Sequence, residues 1–170
     1  ERETEATARG AKVLGEFLGF GCCSEATGIL DLDSEGDGVK RAIEAALVDA
    51  GISADQVGFI CAHGNGNQAS DLTESRGIRS VFGNEIPPVT AFKWAYGHLI
   101  AASGIADLVM VLEVLKRGLI PGIATLGEVD PLIAPFPISR EAVAPRSDVA
   151  LLICRGFGGM NVVLVVRGAS

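Results

Sequence analysis

The chain has 170 residues, of which 48% are hydrophobic and 5% aromatic, and its formal net charge is -7. This size and composition predict one domain with a core of small aliphatic side chains, and they exclude a disordered chain. The acidic balance excludes a nucleic-acid surface, which would need a basic patch. Asp107 and Glu113 interrupt the long apolar helix pattern, so we expect a cytoplasmic protein with no membrane span.

The first half of the chain predicts strands that alternate with helices. A strand is expected after a polar, helical start, and the next helix ends at Gly51, a residue that commonly caps helix C-termini. A short apolar strand then ends abruptly at His63, as a strand buried on both faces does. The expected strands are 12–21, 57–62 and 89–92, and the helices are 39–50 and 70–82.

The second half predicts one long helix and a closing hairpin. The helix is expected over 98–117, ends at Gly118, and begins with small residues, so another element should pack very close to it. Residues 120–145 are proline-rich and predict an irregular covering segment with one short strand. Strands at 149–154 and 162–166 are expected to pair antiparallel, which completes a layered α/β domain.

The chain has two histidines, and each stands beside glycine at an element boundary: His63 precedes Gly64, and His98 follows Gly97. Placed in the first turn of a helix, His98 would feel the positive end of the helix dipole, which disfavours its charged form. A neutral imidazole still donates one N–H hydrogen bond. Two such donors directed at one oxygen would stabilise a developing thioester enolate.

Lys93 stands in the otherwise uncharged stretch before His98, where a lysine is costly unless an acid accompanies it. Asp71 and Glu74 lie three residues apart on one face of the second helix, and either could hold the ammonium group or form a surface pair. The four cysteines have no metal-like spacing, so we expect buried free thiols and no metal site. The glycine-rich stretch 156–161 lacks a following helix and a lysine, which favours a hairpin turn over a phosphate-binding loop.

In this order, these motifs resemble the β-ketoacyl synthases of the thiolase superfamily over nearly the whole chain. The resemblance implies the C-terminal half of an α/β thiolase-like fold across residues 1–170, with a mixed five-stranded sheet and helices on its faces. The matching motifs are Ala62-His63-Gly64, the K-x-x-x-GH pattern of Lys93, Gly97 and His98, the D-x-x-E pair Asp71 and Glu74, and the GFGG-x-N loop at 156–161.

The resemblance also implies the chemistry, a decarboxylative Claisen condensation of a malonyl carrier with an acyl-enzyme in fatty acid or polyketide synthesis. His63 and His98 would assist decarboxylation and hold the enolate oxygen. Lys93 would organise the site, with Glu74 neutralising it and Asp71 in support. Substrates would arrive on the phosphopantetheine of an acyl carrier protein, with no other cofactor.

The family's cysteine nucleophile lies on the preceding half of the fold, and no cysteine here matches its context. We therefore expect this chain to be inactive alone and to need an N-terminal half, on the same or a separate chain, in a homodimer or heterodimer. Candidate pantetheine contacts are Asn65, Asn67, Phe157 and Gly158. The sequence departs from the family's pattern at Asn65 and Asn67, where small hydroxyl residues are usual, at Trp94 and Tyr96, and at Arg155, where an apolar residue is usual.

Two other interpretations stay open. A thiolase half would also have a GH motif and a C-x-G-x-G loop, which Cys154, Gly156 and Gly158 fit, but it would not need His63 and Lys93 together. A non-catalytic partner, similar to chain-length factors, would shape a synthase pocket without a nucleophile. Such partners often lack the histidines that this chain has.

Overall fold

The computed structural model describes residues 1–169 and builds them around one mixed five-stranded sheet. The spatial order of its strands is β1-β5-β4-β2-β3. Strands β1, β5 and β4 pair antiparallel, whereas β4, β2 and β3 run parallel. The strands are β1 Gly15–Ser24, β2 Phe59–Cys61, β3 Val89–Thr90, β4 Val149–Gly156 and β5 Met160–Gly168.

Helices connect and cover these strands. The five α-helices are α1 Glu3–Ala8, α2 Asp37–Ala50, α3 Gln68–Phe82, α4 Lys93–Tyr96 and α5 Ser103–Arg117, and two short 3-10 helices lie at Ala54–Gln56 and Ile100–Ala102. Gly51 and Gly118 cap α2 and α5 in the left-handed conformation, which confirms both predicted helix ends. Within residues 1–169, no helix has the length and apolar character needed to cross a membrane.

The core occupies both faces of the sheet. Leu151 and Ile153 of β4 belong to a cluster with α2 and α3, whereas Ala150 and Leu152 face a second cluster with α5. Because successive side chains of a strand point to opposite faces, a strand covered on both sides is apolar throughout, which explains the unbroken apolar run of β4. This arrangement confirms the predicted mixed sheet with helices on its faces.

Glycines allow the helices to lie directly on the strands. A Cβ atom on Gly21 of β1 would lie 2.1 Å from the carbonyl oxygen of Ala42 in α2. A Cβ atom on Gly104 of α5 would lie 3.1 Å from Sγ of Cys154 in β4. The prediction that something packs very close to the small-residue start of α5 is therefore confirmed at Gly104.

Several predicted boundaries are wrong, and the strand expected over 12–21 spans Gly15–Ser24 instead. The helix expected over 98–117 begins only at Ser103, because Ile100 has a left-handed φ of 54° that interrupts the helical path. The strand expected over 89–92 ends at Thr90, so Lys93 begins the short helix α4. In segment 120–145, which the structure describes throughout, the predicted short strand is reduced to a single bridge between Ile120 and Val143.

Candidate active site

The candidate active site lies at the C-terminal ends of the parallel strands. His63 follows β2, Lys93 follows β3, and Arg155 lies near the end of β4. Because β2, β3 and β4 run in the same direction, their C-terminal ends meet at one edge of the sheet, where α/β proteins commonly bind ligands. The topology therefore brings together residues that are far apart in sequence.

Glu74 fixes the backbone that carries His63. Its Oε1 accepts a hydrogen bond from the N–H of His63 at 2.7 Å, and its Oε2 accepts one from the N–H of Gly64 at 3.0 Å. Glu74 is buried, and burial raises its pKa while these two N–H groups oppose that shift. The expectation that Glu74 neutralises Lys93 is wrong, since both of its oxygens are used by the His63 loop.

Gly64 is required by close packing. Its φ is +43°, and a Cβ atom at this position would lie 2.4 Å from Cβ of Ala91. The loop after His63 therefore passes too close to the segment after β3 for any side chain. This contact sets the position of the His63 loop relative to the segment that leads to Lys93.

Asp107, on α5, is the partner of Lys93. Nζ of Lys93 lies 2.6 Å from Oδ2 of Asp107, and the hydroxyl of Tyr96 donates to Oδ1 of the same carboxylate. The two charged side chains are 3% and 0% exposed, so each requires the other. Sequence reasoning noted Asp107 only as an interruption of an apolar helix. The sequence feature that could have identified it is an acid in the apolar helix that follows Lys93.

His98 is exposed and lies in the turn before α5, so the helix-dipole argument for it was wrong. Its Nδ1 accepts a hydrogen bond from the N–H of Ile100 at 2.9 Å and lies 3.0 Å from Oγ of Ser103. That hydroxyl oxygen in turn accepts from the N–H of Leu99 at 2.8 Å. The left-handed Ile100 and the buried Ser103 thus orient the ring in place of the dipole.

Both imidazoles use Nδ1 as a hydrogen-bond acceptor. Nδ1 of His63 accepts from the N–H of Arg155 at 3.3 Å, just as Nδ1 of His98 accepts from Ile100. Because a backbone N–H can only donate, these bonds assign the ring proton to Nε2 in both histidines. The ring centroids are 5.3 Å apart and the ring planes meet at 71°.

The electrostatic surroundings keep His63 neutral. Burial lowers its pKa to about 3, and the positive charges of Lys93 and Arg155 and the neighbouring His98 act in the same direction. His63 is 4% exposed, which accounts for the dominant effect of desolvation. At neutral pH the ring is therefore a fixed N–H donor at Nε2 rather than an acid.

Arg155 is the centre of a buried polar network beside His63. Its guanidinium donates to Oδ1 of Asn161 at 2.9 Å, to the carbonyl of Ser70 at 2.8 Å and to the hydroxyl of Thr73 at 2.9 Å. It also pairs with Oε1 of Glu25 at 2.9 Å, and the two side chains are 5% and 0% exposed. The network joins α3, β4, β5 and the residue that follows β1 around the histidine.

The remaining predicted site residues lie near this edge in different settings. Oδ1 of Asn65 accepts from the N–H of Asn67, and Oδ1 of Asn67 accepts from the N–H of Ser70 and so caps α3. Phe157 is 79% exposed, and the N–H of Gly158 donates to the carbonyl of Ile29. Asp71 is partly buried on α3. Burial raises its pKa, and the backbone N–H groups of Gly66 and Asn65 lower it by a smaller amount.

The cysteines are free, but the prediction that they are buried holds fully only for Cys61. Cys22 is exposed, and Cys23 and Cys154 are intermediate. Burial raises the pKa of Cys61 well above its ordinary value and that of Cys154 to about 11. Neither thiol is therefore suited to act as a thiolate at neutral pH, and a thiolase-like role for Cys154 loses support. Within residues 1–169, no group of three or more His, Cys, Asp or Glu side chains is arranged to hold a metal ion.

Comparison with known proteins defines the fold. A β-ketoacyl synthase from Burkholderia phymatum STM815 superimposes with a TM-score of 0.94 at 32% identity, over 100% of this chain and 41% of that one. The ishigamide ketosynthase/chain length factor superimposes with a TM-score of 0.93 at 32% identity, over 100% and 42% of the two chains. The fold is thus the thiolase-like fold of the ketosynthases.

The family described as Beta-ketoacyl synthase, C-terminal domain, matches residues 14–126, which is more than half of the chain. The chain belongs to this family. The 3-oxoacyl-[acyl-carrier-protein] synthase 2 of Synechocystis sp. (strain ATCC 27184 / PCC 6803 / Kazusa) is 34% identical over 98% of this chain and 41% of that protein. The chain spans about two fifths of the length of the curated relatives that it matches.

Proposed function

We propose that this chain is the half of a β-ketoacyl-carrier-protein synthase that decarboxylates the malonyl carrier and stabilises its enolate. The observation that carries the proposal is that both histidines hold their proton on Nε2, on rings 5.3 Å apart. We propose that one thioester oxygen binds between the two Nε2–H donors. Two N–H groups already oriented toward one developing negative charge lower the barrier without first being reorganised.

The proposed reaction has two steps, decarboxylation and condensation. The malonyl thioester loses its carboxylate as carbon dioxide, and the C–C bond electrons form an enolate whose oxygen accepts from Nε2–H of His63 and of His98. The enolate carbon then attacks the acyl thioester on a cysteine of the N-terminal half, and the cysteine leaves as a thiolate. Burial keeps His63 neutral, and the positive charge of Lys93, which is paired with Asp107, acts in the same direction.

The partners and substrates follow from this role. We propose an N-terminal half that supplies the cysteine, an acyl carrier protein that presents its phosphopantetheine near Asn65, Asn67, Phe157 and Gly158, and a dimeric assembly in the cytoplasm. The name of the Synechocystis relative refers to an acyl carrier protein, which supports this substrate class. No cofactor beyond phosphopantetheine is needed to balance the reaction.

The test is release of carbon dioxide from malonyl-carrier protein by the protein in its full native length. We expect His63→Leu and His98→Leu each to lower the rate by roughly 100-fold, the usual cost of losing one oxyanion donor. Lys116→Gln, on the exposed end of α5, is the matched control and should leave the rate unchanged. No release of carbon dioxide by the unaltered protein would instead support a non-catalytic partner similar to a chain-length factor. A rate that is unchanged in both histidine variants would show that the histidines do not stabilise the enolate.

A further inference from the structure

A cavity adjoins the candidate active site and shares one wall with it. Its volume is about 260 Å³, and it is enclosed by α3, the segment around β3 and the covering segment 120–145. Neither histidine and no residue of the 156–161 turn lines it, although Gly64, Asn65, Asp71, Glu74 and Lys93 form part of its wall. A molecule could therefore occupy this cavity without contacting either imidazole.

Two buried polar atoms in this cavity have no partner. Oγ1 of Thr90 and Oδ1 of Asp71 make no hydrogen bond with any group of residues 1–169, and Thr90 is only 2% exposed. Both residues line the cavity. Buried polar atoms without a partner are uncommon and cost free energy, so two in one cavity indicate a polar end built to contact a ligand.

The remaining wall is apolar and held in place. Ile78 of α3 faces Ile133, Phe136 and Ile138 of the covering segment across the cavity. Arg79 fastens that segment to α3, because its guanidinium donates to the carbonyls of Ile133 and Pro135 at 3.0 and 2.6 Å and lies 5.9 Å from the ring centroid of Phe136. The cavity is thus preformed, which reduces the cost of binding.

We propose that this cavity binds a small apolar alcohol, with its hydroxyl group on Thr90 and Asp71 and its hydrocarbon body against the isoleucines and Phe136. A hydroxyl both donates and accepts, so it satisfies a threonine hydroxyl and a carboxyl oxygen in either protonation state. An engineered cavity of about 150 Å³ holds benzene, so 260 Å³ corresponds to a ligand of roughly 10 non-hydrogen atoms. A ligand carboxylate would be repelled by an ionised Asp71.

The test compares 4-propylphenol with propylbenzene, two probes of this size that differ by one hydroxyl group. Binding to the full native-length protein is measured by calorimetry and located by crystallography. We expect 4-propylphenol to bind about ten- to a hundredfold more tightly, since a hydrogen bond to a charged group contributes on that order. Thr90→Val should lower this preference without changing the cavity's shape, because it removes one of the two polar partners, whereas Thr90→Ser should retain it.

Three results would overturn the proposal. The first is equal affinity for the two probes, which needs no variant and therefore does not depend on how a substitution folds. The second is a preference that Thr90→Val leaves intact. The third is ordered water alone on Thr90 and Asp71 at saturating 4-propylphenol. Because the probes are not thioesters, none of these results bears on the proposed condensation.

Discussion

Substituting His63 by Gln should remove a pH dependence from the stability of the protein. In the folded state the pKa of His63 is lowered to about 3, whereas an unperturbed histidine has a pKa of about 6.5. Between these values the unfolded chain binds a proton that the folded protein does not. Stability is therefore fully present above pH 6.5 and falls as the pH decreases toward 3.

The magnitude follows from the two pKa values. At pH 5 nearly all of the unfolded histidine is protonated and the folded one is not, so the unaltered protein should lose about 2 kcal/mol between pH 8 and pH 5 through this group alone. Urea unfolding at pH 8, 7, 6 and 5 gives the free energy of unfolding of both proteins. The difference between them isolates His63, because the carboxylates titrate in both.

Parallel pH profiles for the unaltered and His63→Gln proteins would refute this reasoning, since they would mean that His63 accepts protons equally in both states. NMR offers an independent check. The chain has two histidines, so the ring nitrogens are readily assigned, and Nε2 of His63 should remain protonated and Nδ1 bare from pH 8 down to pH 5. A second proton on Nδ1 near pH 6.5 would contradict the same claim.

Two further substitutions test how the site is built, each measured by urea unfolding at pH 7. Lys93→Met should lower the free energy of unfolding by about 3 to 5 kcal/mol because it leaves Asp107 charged and buried. Adding Asp107→Leu should recover at least half of that loss. No change in the free energy of unfolding for Lys93→Met would contradict a buried ion pair. Gly64→Ala should lower the free energy of unfolding by about 2 to 4 kcal/mol, because the new Cβ atom adds a clash with Ala91 to an unfavourable positive φ. Gly66 also has a positive φ, but no atom lies within 4 Å of the position that a Cβ atom would take, so Gly66→Ala should lower it by about 1 to 2 kcal/mol. Equal losses for the two glycines would show that the contact with Ala91 has no effect.

The sequence predicts most of the elements in this chain because periodicity, glycine caps and apolar runs are local properties. The ends of α2 and α5, the hairpin of β4 and β5, and the placement of His63 at the end of a buried strand all follow from neighbours in sequence. The start of α5 does not follow, because it depends on Ile100 adopting a left-handed φ that its side chain disfavours. In that conformation the N–H of Ile100 donates to Nδ1 of His98, a contact that no local propensity reports.

The partner of Lys93 was mispredicted for a related reason. The spacing of Asp71 and Glu74 matches a family motif, which favoured them as partners of Lys93, whereas Asp107 matches no motif and is one acid in an apolar helix. Sequence spacing shows which residues share a helix face but not which element that face meets. Only the packing of α5 across β4 places Asp107 against Lys93. Asp107 could have been recognised on energetic grounds, because an acid buried among apolar residues requires a cation as its partner.

Arg155 and Glu25 extend this argument to a departure from the family's pattern. An arginine among apolar residues can be retained only if its charge and its N–H groups are satisfied, and here Glu25, Asn161, Ser70 and Thr73 satisfy them. Removing either charge alone would leave the other buried without a partner and would lower the free energy of unfolding by about 3 to 5 kcal/mol. The two residues therefore constrain each other. Since the backbone N–H of Arg155 also orients His63, that constraint lies directly beside the proposed enolate site.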